Sequence, residues 1–156
     1  MEAGNAAKAG IRRACSAESI VKPLADGGEG TTEALVEGLG GRYVSAEVTG
    51  PLGEKTNARY GILRDGQTAV LEMAEAAGIT LVDREELDPY RATTYGVGEM
   101  ILDAVKRGCR RFIIGIGGSA TTEGGAGMLQ ALGYGITDGD GKPIRHGIRD
   151  LDQIAH

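Results

Sequence analysis

The stretch from Gly115 to Gly127 limits the fold more than any other, because six of its thirteen residues are glycine, with Ser119, Thr121, Thr122 and Glu123 set among them. The apolar run Phe112-Ile113-Ile114 before it reads as a buried strand, and Met128-Leu129-Gln130-Ala131-Leu132 after it reads as a helix. Strand, glycine loop and helix form the layout of an anion site. Bare backbone amides approach an oxyanion closely, hydroxyls add donors, and a helix N-terminus adds partial positive charge. The same glycines would equally serve a turn that only packs strand on helix, so the loop by itself does not name a ligand.

Two familiar phosphate loops are excluded. The chain contains no G-x-x-x-x-G-K-[ST] segment, which rules out a Walker-type loop. Gly115-x-Gly117-x-x-Ala120 matches a dinucleotide fingerprint in letters, but its helix would then enclose Gly124, Gly125 and Gly127, where glycine is unfavourable. The ribose-binding acid would fall at Asp138 or Asp140, inside Asp138-Gly139-Asp140-Gly141, which reads as a turn.

The remainder reads as α/β. Glu2 to Cys15 is helical, with Ala3, Ala7, Ile11 and Ala14 near one face, and Ser19 to Leu24 is expected as a short strand. That strand runs into Ala25-Asp26-Gly27-Gly28-Glu29-Gly30, after which Thr31 is expected to cap a helix ending at Gly40-Gly41. From Arg42 the texture turns to strands, at Tyr43–Val48, Ala58–Leu63 and Thr68–Met73, with a hairpin signal at Asp65-Gly66. A short helix or turn over Ala74–Gly78 and a helix carrying Val97, Ile101, Leu102 and Val105 follow, the latter capped by Thr93 or Thr94. The expected fold is a Rossmann-like parallel part plus a mixed-sheet α/β unit, divided into 1–41 and 42–156.

Several side chains are candidates for chemistry. Asp26 and Glu29 sit at a strand's carboxyl end, where open α/β sheets place ligands, although Asp26 would also organise a turn and Glu29 would also suit a helix N-terminus. Glu72 ends an apolar strand, a costly place for a charge unless it is paired or used. Thr93 and Thr94 precede a helix, with a capping role for one and a small-carboxylate role open to both. With 17 Lys and Arg against 22 Asp and Glu, the net charge of −5 disfavours nucleic acid and anionic membranes. Two cysteines and two histidines build no disulfide framework or transition-metal cluster, and no leader or long apolar run appears, so a cytoplasmic setting is expected.

The glycine loop resembles the G-I-G-G-S-A-T-x-x-G-G-A-G-M signature of the type-1 glycerate kinases, the glycerate 2-kinases. Four further stretches match in the same order: Pro23 to Thr31, Val48 to Gly53, Leu71 to Ala74, and Thr93 to Glu99. Members of that family commonly carry Asn-Asp where this chain has Thr122-Glu123, which keeps the carboxylate and lengthens it by one methylene. They are also more than twice as long, and their leading strand brings a lysine, so the resemblance makes this chain an incomplete part of a two-domain fold.

The resemblance implies ATP-dependent phosphorylation of D-glycerate to 2-phosphoglycerate, with ATP and Mg²⁺ as the bound groups. It places Asp26, Glu29 and Glu123 in catalysis, with Asp26 and Glu123 as metal ligands. Gly117, Gly118, Ser119, Thr121, Gly124 and Gly125 would hold the nucleotide, and Thr93, Thr94 and Glu72 the glycerate. A 156-residue chain alone is expected to be inactive or nearly so. Alternatives are a non-catalytic phosphate-binding module, a kinase for another small hydroxy acid, or a structural fragment; a homo-oligomer is compatible with each.

Overall fold

A computed structural model describes residues 2–22 and 24–155. Along the chain lie α1 (Glu2–Ala14), α2 (Thr31–Leu39), β1 (Gly41–Thr49), β2 (Lys55–Leu63), β3 (Thr68–Glu72), α3 (Ala74–Ala77), α4 (Tyr95–Lys106), β4 (Arg111–Gly115) and α5 (Ala126–Ala131). Single 3₁₀ turns occupy Ile79–Leu81 and Leu151–Gln153. No helix among the described residues is long and apolar enough to cross a membrane.

One mixed sheet runs in the order β1-β2-β3-β4. β1 and β2 form an antiparallel hairpin from Gly41↔Leu63 to Thr49↔Lys55, and β3 returns antiparallel to β2 after the Asp65-Gly66 turn. β4 then lies parallel to β3, from Thr68↔Arg111 to Glu72↔Gly115. A parallel partner cannot be reached by a tight turn, and the crossover here is made by α3, the 3₁₀ turn and α4.

Alternation along the strands sorts the core. Ala58, Tyr60 and Ile62 of β2, with Ala69 and Leu71 of β3, pack on Ala76 and Ala77 of α3 and on Val97, Met100 and Ala104 of α4. The intervening Leu63 and Val70 pack instead on Val36 and Leu35 of α2. With a period of two, Glu72 falls on the α2 side with Val70. Burying Tyr60 leaves its hydroxyl in need of a partner, and it donates to Asp103 of α4 at 2.7 Å, where Arg107 also donates at 2.8 Å.

Two local expectations are corrected. Ser19–Leu24 forms no strand among its described residues, Pro23 lying outside them. No neighbouring strand lies beside it to satisfy its backbone groups, and Ile20 and Leu24 are 75% and 95% exposed. Thr31 does not cap α2 either: the N-cap is Gly30, at φ 89°, and Thr31 Oγ1 turns back to donate to the Gly28 carbonyl and accept from the Gly27 amide. The helix before the sheet, the three strands after Arg42, the strand before the glycine loop and the turn at Asp138–Gly141 form as expected.

Close helix contact rests on a missing side chain at Gly98. A Cβ there would lie 2.5 Å from the Met128 carbonyl oxygen and 2.6 Å from Ala131 Cβ. Gly98→Ala should therefore force α4 and α5 apart and destabilise the protein by about 1–3 kcal/mol, read as a lower urea midpoint.

Near the C-terminal end, Asp150 is buried and accepts from the Arg145 amide and from both Nε and NH2 of its guanidinium, at 2.6–3.0 Å. Those bonds pull its pKa down to about 2. A depressed carboxylate stabilises the fold above its ordinary value of about 3.9, and that contribution disappears as pH falls through about 2. A carboxyl-carbon NMR titration should show this low midpoint in the parent chain and its return toward the ordinary value in Arg145→Gln.

Candidate functional site

The carboxyl ends of β3 and β4 meet two loops. From β4, Gly115 and Gly117 pass directly beneath the Asp26–Gly30 loop, and the Gly117 amide donates to the Gly27 carbonyl at 2.8 Å. A Cβ on Gly115 would sit 2.5 Å from that carbonyl oxygen, and one on Gly117 would sit 2.7 Å from Gly28 Cα. Only glycine permits this approach. The two loops that carry most of the candidate residues are therefore seated on each other.

The Asp26 loop is held from below by Glu72. This carboxylate is 5% exposed, and it accepts from the Thr32 amide at 2.6 Å and the Gly30 amide at 3.2 Å. It thus caps α2 from the end of β3, where helix-terminal amides and a negative charge favour one another. Met73, the next residue, donates its amide to Gly115 at 2.9 Å. Strand end, helix start and glycine loop are linked within three consecutive contacts.

The glycine loop is pinned on its other sides. Ala120 donates to the Ala77 carbonyl and Ile79 donates to the Gly118 carbonyl, at 2.8 and 2.9 Å. Glu123, 3% exposed, accepts on Oε1 from the Thr94 amide, the Thr94 hydroxyl and the Gly127 amide, at 2.6–3.2 Å. Thr94 Oγ1 in turn accepts from the Met128 amide at 2.9 Å. Thr94 stands at the N-cap of α4 as expected, but the side-chain bond comes from its neighbour: the Tyr95 amide donates to Thr93 Oγ1 at 3.2 Å. Glu123 Oε2 is buried with no partner.

What remains open is a cavity of about 400 Å³ lined by Thr94, Ser119, Thr121, Gly124 and Gly125, with Met73 and Ile116 as apolar walls. Gly124 and Gly125 have φ of +66° and +88°, and among the described residues their amides donate to no protein acceptor. Ser119 Oγ accepts from the Thr121 amide at 2.9 Å and lies 2.8 Å from Thr121 Oγ1. Consecutive glycine amides beside two hydroxyls make a concavity suited to anionic oxygen. The amides of Gly117, Gly127 and Met128 are not available to it, because each already serves a protein acceptor.

A second, adjoining cavity of about 190 Å³ joins Gly118 to Glu29, Glu72 and Glu75, with Asn57 beside them. Asp26 stays exposed, with Oδ1 accepting from the Gly28 amide at 3.1 Å. Thr93, 1% exposed, lies apart from both, under a third cavity. Among the described residues no group of three or more His, Cys, Asp or Glu is arranged to hold a metal ion. Sequence reasoning passed over Met73 and Ile116, whose apolar character gave no sign that they would line a polar loop. It also passed over Asn57 and Glu75, which only the hairpin fold brings near Glu29.

A family model described as the glycerate kinase family matches residues 1–156. The chain is 46% identical to a glycerate kinase of Haemophilus influenzae over 99% of its own length and 41% of that relative's. It is 51% identical to the glycerate 2-kinase of Escherichia coli over 88% of this chain and 36% of the relative. A crystal structure assigned to glycerate kinase 2 of Salmonella typhimurium LT2 superposes with a TM-score of 0.81 at 51% identity, covering 86% of this chain and 36% of that one. The chain thus spans about two fifths of the length of the curated relatives it matches.

Removing the Glu72 cap should loosen the Asp26 loop without touching the hydrophobic core. Glu72→Ala is expected to cost about 3–6 kcal/mol, the scale of two lost bonds to a charged acceptor. Hydrogen exchange should speed up at Gly30 and Thr32 beyond the global change. Unaltered protection at those two amides would refute the capping role.

Proposed function

The chain belongs to the glycerate kinase family, and from that premise we propose that it serves the ATP-dependent phosphorylation of D-glycerate at the 2-hydroxyl, giving 2-phosphoglycerate and ADP. The observation that carries this reading is the 2.8 Å bond from the Gly117 amide to the Gly27 carbonyl. It brings an exposed carboxylate loop against a glycine loop with unused amides, the two ingredients that phosphoryl transfer asks of a protein.

In this reading the Gly124 and Gly125 amides, with Ser119 and Thr121, donate to phosphate oxygens, and Gly118 faces the same junction. Met73 and Ile116 give this cavity apolar walls. Asp26 is the carboxylate that fits Mg²⁺: it is exposed and its only hydrogen bond is to Oδ1, whereas Mg²⁺ needs only one or two carboxylates alongside phosphate oxygens and water. When bound, the ion offsets the charge that develops on the transferred group. Glu29, exposed beside Gly118, accepts the proton of the attacking hydroxyl.

Glu123 fits a different part from the metal ligand expected of it. Oε1 already accepts three donors and Oε2 is sealed from solvent, so it positions Thr94 and the start of α5 around the loop. Glu72 likewise acts through the Gly30 and Thr32 amides. Thr94, whose hydroxyl lies in the glycine-loop cavity wall, is the better placed of the two threonines to meet glycerate. A cytoplasmic location belongs to the same proposal, as does the inactivity of the 156-residue stretch alone.

A coupled assay of glycerate-dependent ADP release on the full-length protein tests the assignment. Glu29→Gln should lower kcat by about 100-fold or more, and Ser119→Ala should raise KM for ATP by about 10-fold, the worth of one bond to a charged oxygen. Wild-type turnover in Glu29→Gln, or phosphate binding without any ATP–Mg²⁺ preference, would favour a non-catalytic anion module instead.

A further inference from the structure

Outside the two loops, the molecule carries one concentration of positive charge that the proposed reaction does not use. A cavity of about 240 Å³ is walled by Arg91, Arg145, His146 and Arg149 and floored by Thr93, with Leu52 and Gly53 at one side. Among the described residues no acidic one lines it. In a chain with a net charge of −5, three guanidinium groups and an imidazole line one small concavity.

The cluster is built rather than merely adjacent. Arg145 is fixed by two bonds to the buried carboxylate of Asp150, at 2.8 and 2.6 Å, and Arg149 lies 3.8 Å from Asp88. The His146 ring packs on Tyr95 with centroids 4.8 Å apart, which ties it to the start of α4. Gly147, at φ +82°, lies flush on the backbone of Tyr90 and Arg91, and a Cβ there would come within 3.0 Å of Arg91 Cα. That contact brings residues 145–149 over Thr93. Asp150 and Asp88 offset two of the three guanidinium charges, and Arg91 has no carboxylate within ion-pair distance among the described residues. Its other side faces a separate cavity holding Glu54, Glu85, Glu86 and Asp88, none of which lines the basic one.

We propose that Arg91, Arg145, His146 and Arg149 form a binding site, above Thr93, for the carboxylate or phosphate of a small metabolite, distinct from the glycine-loop cavity. The planar fork of arginine matches both oxyanions, and a space of about 240 Å³ admits a small metabolite. Arg149 also lines a cavity with Thr122 of the glycine loop, and no residue of the basic cavity lines the one that holds Ser119.

Calorimetric and NMR titrations of the full-length protein with inorganic phosphate, and separately with D-glycerate, test this. At least one should saturate at physiological salt and shift the amide signals of Thr93 and residues 145–149. Tighter phosphate would point to a phosphorylated metabolite, and tighter glycerate to a carboxylate. Arg91→Gln and Arg149→Gln should each weaken that binding by about tenfold, whereas Lys142→Gln, removing a nearby exposed charge, should not. Arg91 is exposed and unpaired, so its variant leaves the fold intact. Equal weakening by Lys142→Gln, shifts confined to residues 118–125, or no saturable binding of either anion would each overturn the site.

Discussion

One buried carboxylate connects the sheet to everything that faces a ligand. Glu72 stands at the last position of β3, on the face that period-two alternation turns toward α2, and both of its oxygens take amides from the first turn of that helix. A charge in that place would be expensive in isolation. Here it replaces the cap that neither Gly30 nor Thr31 supplies, and the helix it holds carries the Asp26 loop. The position of the exposed carboxylates relative to the glycine loop therefore depends on a buried residue that is the strand partner of Gly115.

Glu123 does for the opposite wall what Glu72 does for this one. It gathers Thr94 and Gly127 onto a single oxygen, so that α4, the glycine loop and α5 meet at one buried point. Both carboxylates are candidates for contact with substrate or metal; Glu72 takes two backbone amides, and Glu123 takes two amides and the Thr94 hydroxyl on Oε1. What faces the cavity is uncharged: hydroxyls and bare glycines on one side, and Met73, Val97, Ile114, Ile116 and Met128 on the other.

The architecture was legible wherever a local pattern decided it. The strand runs at Ala58–Leu63 and Thr68–Met73, the Asp65-Gly66 turn and the strand before Gly115 all rest on near neighbours, and the strands form within a few residues of those bounds. Ser19–Leu24 misled because its apolar letters suit a strand, while a strand also needs a partner that composition does not reveal. Thr31 misled for a related reason: the donor it was expected to satisfy is met by a residue 40 positions away in sequence from Thr32. That Ser119, Thr121, Gly124 and Gly125 would line one cavity followed from the motif. The basic cavity did not, because Arg91 and residues 145–149 are joined only by the fold.

The parallel pairing of β3 with β4 has a consequence for the order in which the molecule assembles. Thr68 and Arg111 are 43 positions apart, whereas β1 and β2 close across a five-residue turn. Chain entropy makes the near pairing cheap and the distant one slow, so the hairpin is the natural nucleus and β4 docks after the crossover has collapsed. The glycine loop hangs from the end of β4. Its placement therefore carries the larger loop-closure cost of the two pairings.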